Sequence, residues 1–333
     1  MLIKPFPRLN NIHAIAIPIP DISQLITANV FVVGKGPVTL IDTGPKSPIA
    51  LDFIESQLSL KGLGFQDIER IILTHGHVDH FGLATAIKNA AGRKIQCFIH
   101  AEDRWQLSSQ YLTRETATEE WADLMANAGL PQGEMEIIRK QISVLKGFGD
   151  ALEDVSIMVD GQEFNGDGYE LKVVHTPGHT PGSCCIYECR QQVLFSGDHL
   201  IKHITPNLFI GVKKERLRNG GYRSLTAFID SLDKLLEFDA RFVCSGHGEY
   251  IEDLPGIISS YKTHHHQRSR QVRKALYKKE RTLYAIIDEV FSHVPQGETF
   301  LAISELAAHL EILLAEGKVA LVDPGPPALY KAL

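Results

Sequence analysis

The sequence has no CxxC pair and no long apolar run, and each absence argues against a class of protein. Five cysteines, an odd number, speak against a disulfide framework. No apolar segment approaches the ~20 residues that a membrane span needs. The opening Met1-Leu2-Ile3-Lys4-Pro5 offers no continuous apolar core of signal-peptide length. A formal net charge of −6 gives no global pull towards nucleic acid or anionic membrane. Together these leave the expectation of a cytoplasmic, soluble enzyme without a membrane partner. What the chain does have is size and histidine. Its 333 residues, 44% hydrophobic and 22% charged, can bury a large core and suggest roughly two domains of about 150 residues. Fifteen histidines tilt the composition towards metal chemistry.

Apolar runs at 12–20 and 26–33, separated by Pro20-Asp21, predict strands of an early meander. Val38–Ile41 predicts a further strand ending in Asp42-Thr43-Gly44, and Ile71–Leu73 another. Pro48–Leu60 and Leu83–Ala91 have helical spacing. Residues 101–146 read as a helical insertion, and its Trp105, Tyr111 and Trp121 are expected to pack on the core or wall a pocket. Strands return at Val155–Val159, Tyr169–Val174, Ser183–Tyr187 and Val193–Phe195, then helix Ser224–Leu236 and strand Phe242–Ser245. This alternation predicts a layered α/β sandwich. From about Thr263 the pattern changes to helical seams, with a short strand pair expected within Gly317–Val322. Such a segment is winged-helix-like. The predicted division is therefore 1–262, including the insertion, and 263–333.

Thr74-His75-Gly76-His77-Val78-Asp79-His80 places four potential metal ligands just beyond an apolar strand. Neutral imidazole and carboxylate suit zinc and similar divalent ions. Three later strand ends carry further candidates: His179 in HTPGHTPGS, Asp198 in SGDH and His247 in SGHG. Each is flanked by glycine, which lets the backbone turn sharply. His175 and His199 sit beside these positions as candidates for outer contacts. The run His264-His265-His266 reads as exposed helix surface with no metal expected.

The order THGHVDH, HTPGHTPGS, SGDH, SGHG resembles the metallo-β-lactamase superfamily, within its glyoxalase II-like hydrolase branch. The resemblance implies an αββα sandwich with a binuclear site at one edge. Carried onto this sequence, it implies that His75, His77 and His179 hold one ion, that Asp79, His80 and His247 hold the second, and that Asp198 bridges them. Asp42, in a matching Asp-Thr-Gly turn, would orient a ligand from outside, and His199 is a further outer candidate. Two divalent metal ions, zinc foremost with iron or manganese as alternatives, would share a hydroxide that attacks the substrate. Asp79 is the candidate catalytic carboxylate, orienting the nucleophile or taking up its proton.

The same resemblance narrows the reaction. Related β-lactamases place cysteine where Asp198 stands, flavodiiron proteins place glutamate where His77 stands, and single-iron dioxygenases lose part of the second site. Hydrolysis is thus the expected reaction, on an acyl-CoA or acyl-carrier thioester or a related ester. A glutathione thioester is disfavoured, because the basic residues that contact glutathione have no match here. The alternative is RNA phosphodiester cleavage using the basic run Lys262, Arg268, Arg270, Arg273, Lys274, Lys278, Lys279 and Arg281. A DNA-binding regulator with a relic sandwich is the third reading, disfavoured by the intact ligand set. The tail is expected to shape the substrate entrance or a homodimer contact.

Overall fold

The computed structural model describes residues 6–19, 27–113, 119–208, 222–295 and 298–333. The side chains of 119–121 also lie outside the described residues, and with them Trp121 as a pocket aromatic. Packing divides the chain into two compact units whose segments alternate in sequence. Unit 1 comprises Met1–Thr113, Leu145–Pro206 and Asp233–Ile257; unit 2 comprises Arg114–Val144, Asn207–Leu232 and Ile258–Leu333.

Unit 1 contains two sheets. The first joins β1 (Ile12–Pro18), β2 (Thr27–Val33), β3 (Val38–Ile41), β4 (Ile68–Ile72), β5 (Gln96–His100) and β6 (Ser156–Met158) in sequence order. The second is built from β7 (Glu163–Gly166), β8 (Tyr169–His175), β9 (Cys184–Glu188), β10 (Val193–Gly197) and β11 (Phe242–Ser245), again adjacent in sequence order. The predicted meander is present, since β1, β2 and β3 pair antiparallel. From β3 to β6 the strands run parallel, and parallel strands need cover on both faces. Strand β2 shows how the sequence meets that need. Val30 and Val32 pack with one core and Phe31 and Val33 with another, as the two-residue period of a strand requires.

The first core lies under α1 (Pro48–Ser59), α2 (Val78–Phe81) and α3 (Ala84–Ala91), which contribute Ile54, Leu58, Phe81, Ile87 and Ala91. Ser47 caps α1 by accepting from the Ala50 N–H at 3.0 Å, and Pro48 occupies its first turn. The second core fills the space between the sheets with Phe31, Ile41, Ile72, Tyr169, Val173, Ile186, Phe195 and Cys244. Each such apolar side chain contributes roughly 1.5–3 kcal/mol on burial. These layers form the predicted α/β sandwich.

The remaining elements are α4 (Ser109–Thr113), α5 (Glu119–Ala128), α6 (Gln132–Lys146), α7 (Ser224–Leu235), α8 (Leu254–Ala275), α9 (Ile287–Val290), α10 (Thr299–Ala315) and a hairpin of β12 (Val319–Asp323) and β13 (Leu329–Ala332). Helix α8 runs unbroken through position 262. The strand pair expected within 317–322 is instead a single strand. It pairs with the chain end, Val319 opposite Ala332, because Pro324, Pro326 and Pro327 occupy the turn. No described helix is long and apolar enough to cross a membrane.

Candidate metal centre

The candidate residues sit where strands stop. Strand β4 ends at Ile72 between parallel neighbours β3 and β5. His75 follows in the loop, His77 stands at the start of α2, and Asp79 and His80 lie in its single turn. In open α/β sheets such strand ends are where binding residues collect. Beyond β8, β10 and β11 come His179, Asp198 and His247. One donor atom from each of His75, His77, His179 and Asp198 lies within 4.8 Å of the others, and the same holds for Asp79, His80 and His247. All seven sequence candidates therefore converge; five are buried, and His77 and Asp79 are partly exposed, Asp79 keeping 29% of its side chain exposed. Asp198 stands between the groups. Its Oδ1 is 3.2 Å from His80 Nε2 and 3.3 Å from His247 Nε2, while Oδ2 faces His179 Nε2 at 3.6 Å.

Outer contacts fix which nitrogen of each ring points inward. The Asp42 carboxylate accepts from His80 Nδ1 at 2.9 Å, from the Thr74 N–H at 2.8 Å and from Thr74 Oγ1 at 2.8 Å. Because the Thr74 hydroxyl hydrogen goes to Asp42, Thr74 Oγ1 accepts from His75 Nδ1, 3.1 Å away. The Thr27 carbonyl accepts from His247 Nδ1 at 2.7 Å. In the neutral rings, Nε2 of His75, His80 and His247 is then a bare lone pair. The two Nε2 atoms of His80 and His247 stand 3.2 Å apart and share Asp198 Oδ1. His77 Nδ1 is 3.0 Å from His75 Nε2 and 3.1 Å from His179 Nε2. Where His80 and His247 turn neutral Nε2 lone pairs towards each other at this distance they repel unless positive charge stands among them, so this donor set fits divalent cations.

The electrostatics carry the same message. Burial lowers His75 and His77, and the neighbouring imidazoles add to it, His77 falling to about 3. These rings are unprotonated at neutral pH. Burial also opposes charge on His80 and His247, but Asp198 leads a set of carboxylates that reverses it. His80 stands well above its ordinary value and His247 is raised to about 10. Asp79 and Asp198, raised by burial, are held below the carboxylate range by His80 and His247. The second group thus holds protons where a cation would otherwise balance its carboxylates.

A family model described as the metallo-beta-lactamase superfamily matches residues 24–247, which include every residue of both groups. The chain belongs to the metallo-β-lactamase superfamily. A probable metallo-hydrolase of Bacillus subtilis, YqjP, is 26% identical over 96% of this chain and 98% of its own. The crystal structure of a metallo-beta-lactamase family protein from Thermus thermophilus superposes with a TM-score of 0.82 at 27% identity, covering 98% of this chain and 99% of that one. An atrochrysone carboxyl ACP thioesterase of Aspergillus chevalieri is 23% identical over 89% of this chain and 79% of its own.

Other residues of this metallo-β-lactamase fold complete the surroundings. His199 is buried, and burial with the nearby His179 lowers its ring to about 3. His175 stacks on His100 with centroids 3.9 Å apart and donates through Nε2 to the Pro181 carbonyl at 2.9 Å, bracing the loop that holds His179. Sequence reasoning missed Thr27 and Asp103. The first acts through a backbone carbonyl, which leaves no residue signature. The second, a buried aspartate just after β5, had a readable signal: it follows a strand end, as the candidate ligands do.

Proposed function

We propose that this metallo-hydrolase is a binuclear enzyme that cleaves a thioester or related carboxylic ester of the acyl-CoA or acyl-carrier type. In this reading His75, His77 and His179 hold one ion, Asp79, His80 and His247 hold the other, and Asp198 lies between. The observation that carries it is the facing of His80 Nε2, His247 Nε2 and Asp198 Oδ1 within 3.3 Å, with both histidine Nδ1 atoms committed elsewhere. Divalent ions bound there, zinc foremost on this donor set, would bring the pKa of a bound water towards neutrality and polarise the carbonyl under attack.

The protein's own residues do the positioning. Asp42 holds the His80 and Thr74 side chains, and through Thr74 it sets the His75 ring. Asp79, with 29% of its side chain exposed against 8% for Asp198, is the carboxylate of the set that reaches solvent; ionised, it can orient an incoming water and accept its proton. A thiolate, whose thiol has a pKa of about 8.5, departs without a proton donor. That suits a site whose carboxylates are ionised and whose His75 and His77 are unprotonated. Trp105, half exposed and edge-on to Tyr111 at 4.9 Å, offers apolar surface for an acyl group. The thioesterase named among the relatives supports the same substrate class.

The test is thiol release from a panel of acyl-CoA thioesters by metal-loaded protein, beside the Asp198→Ala variant. Release that the variant lacks is expected. Metal-loaded protein that releases thiol from no thioester would overturn the thioester reading and make RNA phosphodiester cleavage the next substrate to assay.

A further inference from the structure

Asp103 is none of the seven proposed ligands, yet it ties together the two loops that carry three of them. It is fully buried, in the turn between β5 and a short 3-10 segment at Arg104–Leu107. Its Oδ2 accepts from the Gly76 N–H at 3.1 Å and from Thr180 Oγ1 at 2.6 Å, and its Oδ1 accepts from the Gly182 N–H at 2.8 Å. Gly76 is the residue between His75 and His77. Thr180 and Gly182 follow His179. Ser183 Oγ lies 2.7 Å from Thr180 Oγ1 and accepts from the Thr180 N–H at 3.0 Å. Since Thr180 donates its hydroxyl hydrogen to Asp103, Ser183 donates to Thr180, and the hydrogen bonds run in one direction into the carboxylate.

The surroundings are shaped to admit this carboxylate. A Cβ on Gly182 would come within 2.6 Å of Asp103 Cγ and Oδ1. One on Gly76 would meet Gln106 Oε1 at 2.3 Å and the Asp103 carbonyl at 3.0 Å. Neither glycine has a positive φ. Close approach to the Asp103 turn, not backbone conformation, accounts for glycine at both places. Lower down, the loops are joined by a backbone bond from the Cys184 N–H to the Thr74 carbonyl at 2.8 Å. Nearer the imidazoles, Asp103 supplies the link.

We propose that Asp103 is a positioning residue that sets the separation of His179 from His75 and His77, and with it the affinity and geometry of the first metal position. The proposal rests on the ligand assignment above. Residues that orient ligands from outside typically change metal affinity by about 10–100-fold. Asp103→Asn keeps the volume but turns an N–H towards donors that need an acceptor. Thr180→Val removes one of the three hydrogen bonds and is the milder probe.

The experiment titrates zinc against a chelator and records the visible spectrum of cobalt(II)-substituted protein, with unfolding temperatures of the metal-free forms. In Asp103→Asn, one of two metal equivalents should bind about 10–100-fold more weakly while the other keeps its affinity, and the cobalt bands of the weakened position should shift. Thr180→Val should move the same equivalent by less. Two equivalents held with wild-type affinity and spectrum would overturn the proposal. So would equal weakening of both, together with a lower unfolding temperature of the metal-free protein, since that marks a general structural residue. Failure of the ligand assignment is separable: His77→Ala would then retain both equivalents, whatever Asp103 does.

Discussion

Two clusters of buried histidines, one in each unit, show what separates a metal centre from a packed polar core. In unit 1, Asp42, Asp79 and Asp198 face imidazoles, and because Asp42 and the Thr27 carbonyl take the Nδ1 hydrogens of His80 and His247, the Nε2 atoms of both rings turn inward towards carboxylates. In unit 2, His265 of α8 and His309 of α10 meet with Nδ1 and Nε2 3.5 Å apart, and His309 Nδ1 lies 2.8 Å from Ser269 Oγ. The acid there is already matched: Glu305 accepts from Arg268 Nε at 2.7 Å, and the same guanidinium lies over the Phe291 ring at 4.2 Å. Burial then lowers His265 to about 4 and His309 to about 3. His80 and His247 are equally buried and move the other way. Burial of histidine is shared by the two clusters. Carboxylate charge without a fixed cation beside it is what sets the first apart.

The sharpest way to break this comparison is to remove one histidine from each cluster. His77→Ala should lose metal and reduce turnover by about a thousandfold or more, the several kcal/mol that metal activation supplies. Circular dichroism should show the fold retained, and elemental analysis should show less than the wild-type metal content. Near-normal turnover would sink the binuclear mechanism. His309→Ala should do the reverse. It removes a fully buried ring and leaves Ser269 without its partner, a loss of about 2–3 kcal/mol read from the urea midpoint. Its metal content per chain should equal that of wild type. Loss of metal in His309→Ala would erase the distinction between the clusters.

The first cluster was legible in the sequence and the second was not, for a physical reason. Ligands on strand ends follow apolar strands and cluster in short turns, so the chemistry is written locally around His75–His80, His179, Asp198 and His247. His265 reads as exposed helix surface between His264 and His266, but α8 turns it inward, where it is buried beside Phe228. Only tertiary packing decides that. Strand β4 was legible in part. It begins at Ile68, three residues before the apolar run, because Arg70 is accommodated by Thr39, Tyr169 and the face of Phe164. Strand β7 buries only Phe164 of four residues and carries no alternating signal. The role of Thr27 runs through a backbone carbonyl, which no local pattern encodes, and Asp103, although it follows the end of β5, makes its contacts to segments far away in sequence.

The smaller effect concerns pH. In the unfolded chain His265 and His309 titrate near about 6.5, whereas in the fold they stand at about 4 and about 3. Burial is the largest cause for both. His265 next lowers His309, and His264 and Arg268 push both down further, while Glu305 opposes. Between the folded and unfolded values the unfolded chain binds more protons, so stability rises with pH. The contribution is complete above about 6.5 and is lost as pH falls towards the folded values. Each such proton is worth about 1.4 kcal/mol per pH unit. His309→Gln should therefore flatten the decline of urea stability between pH 6.5 and 4.5 relative to wild type by up to that slope. His77 also lies low in the metal-free protein, so both proteins must be compared metal-free, where the unit 1 terms cancel in the difference. An unchanged slope would mean that His309 takes up its proton without unfolding, and the second cluster would then be wetter than its packing requires.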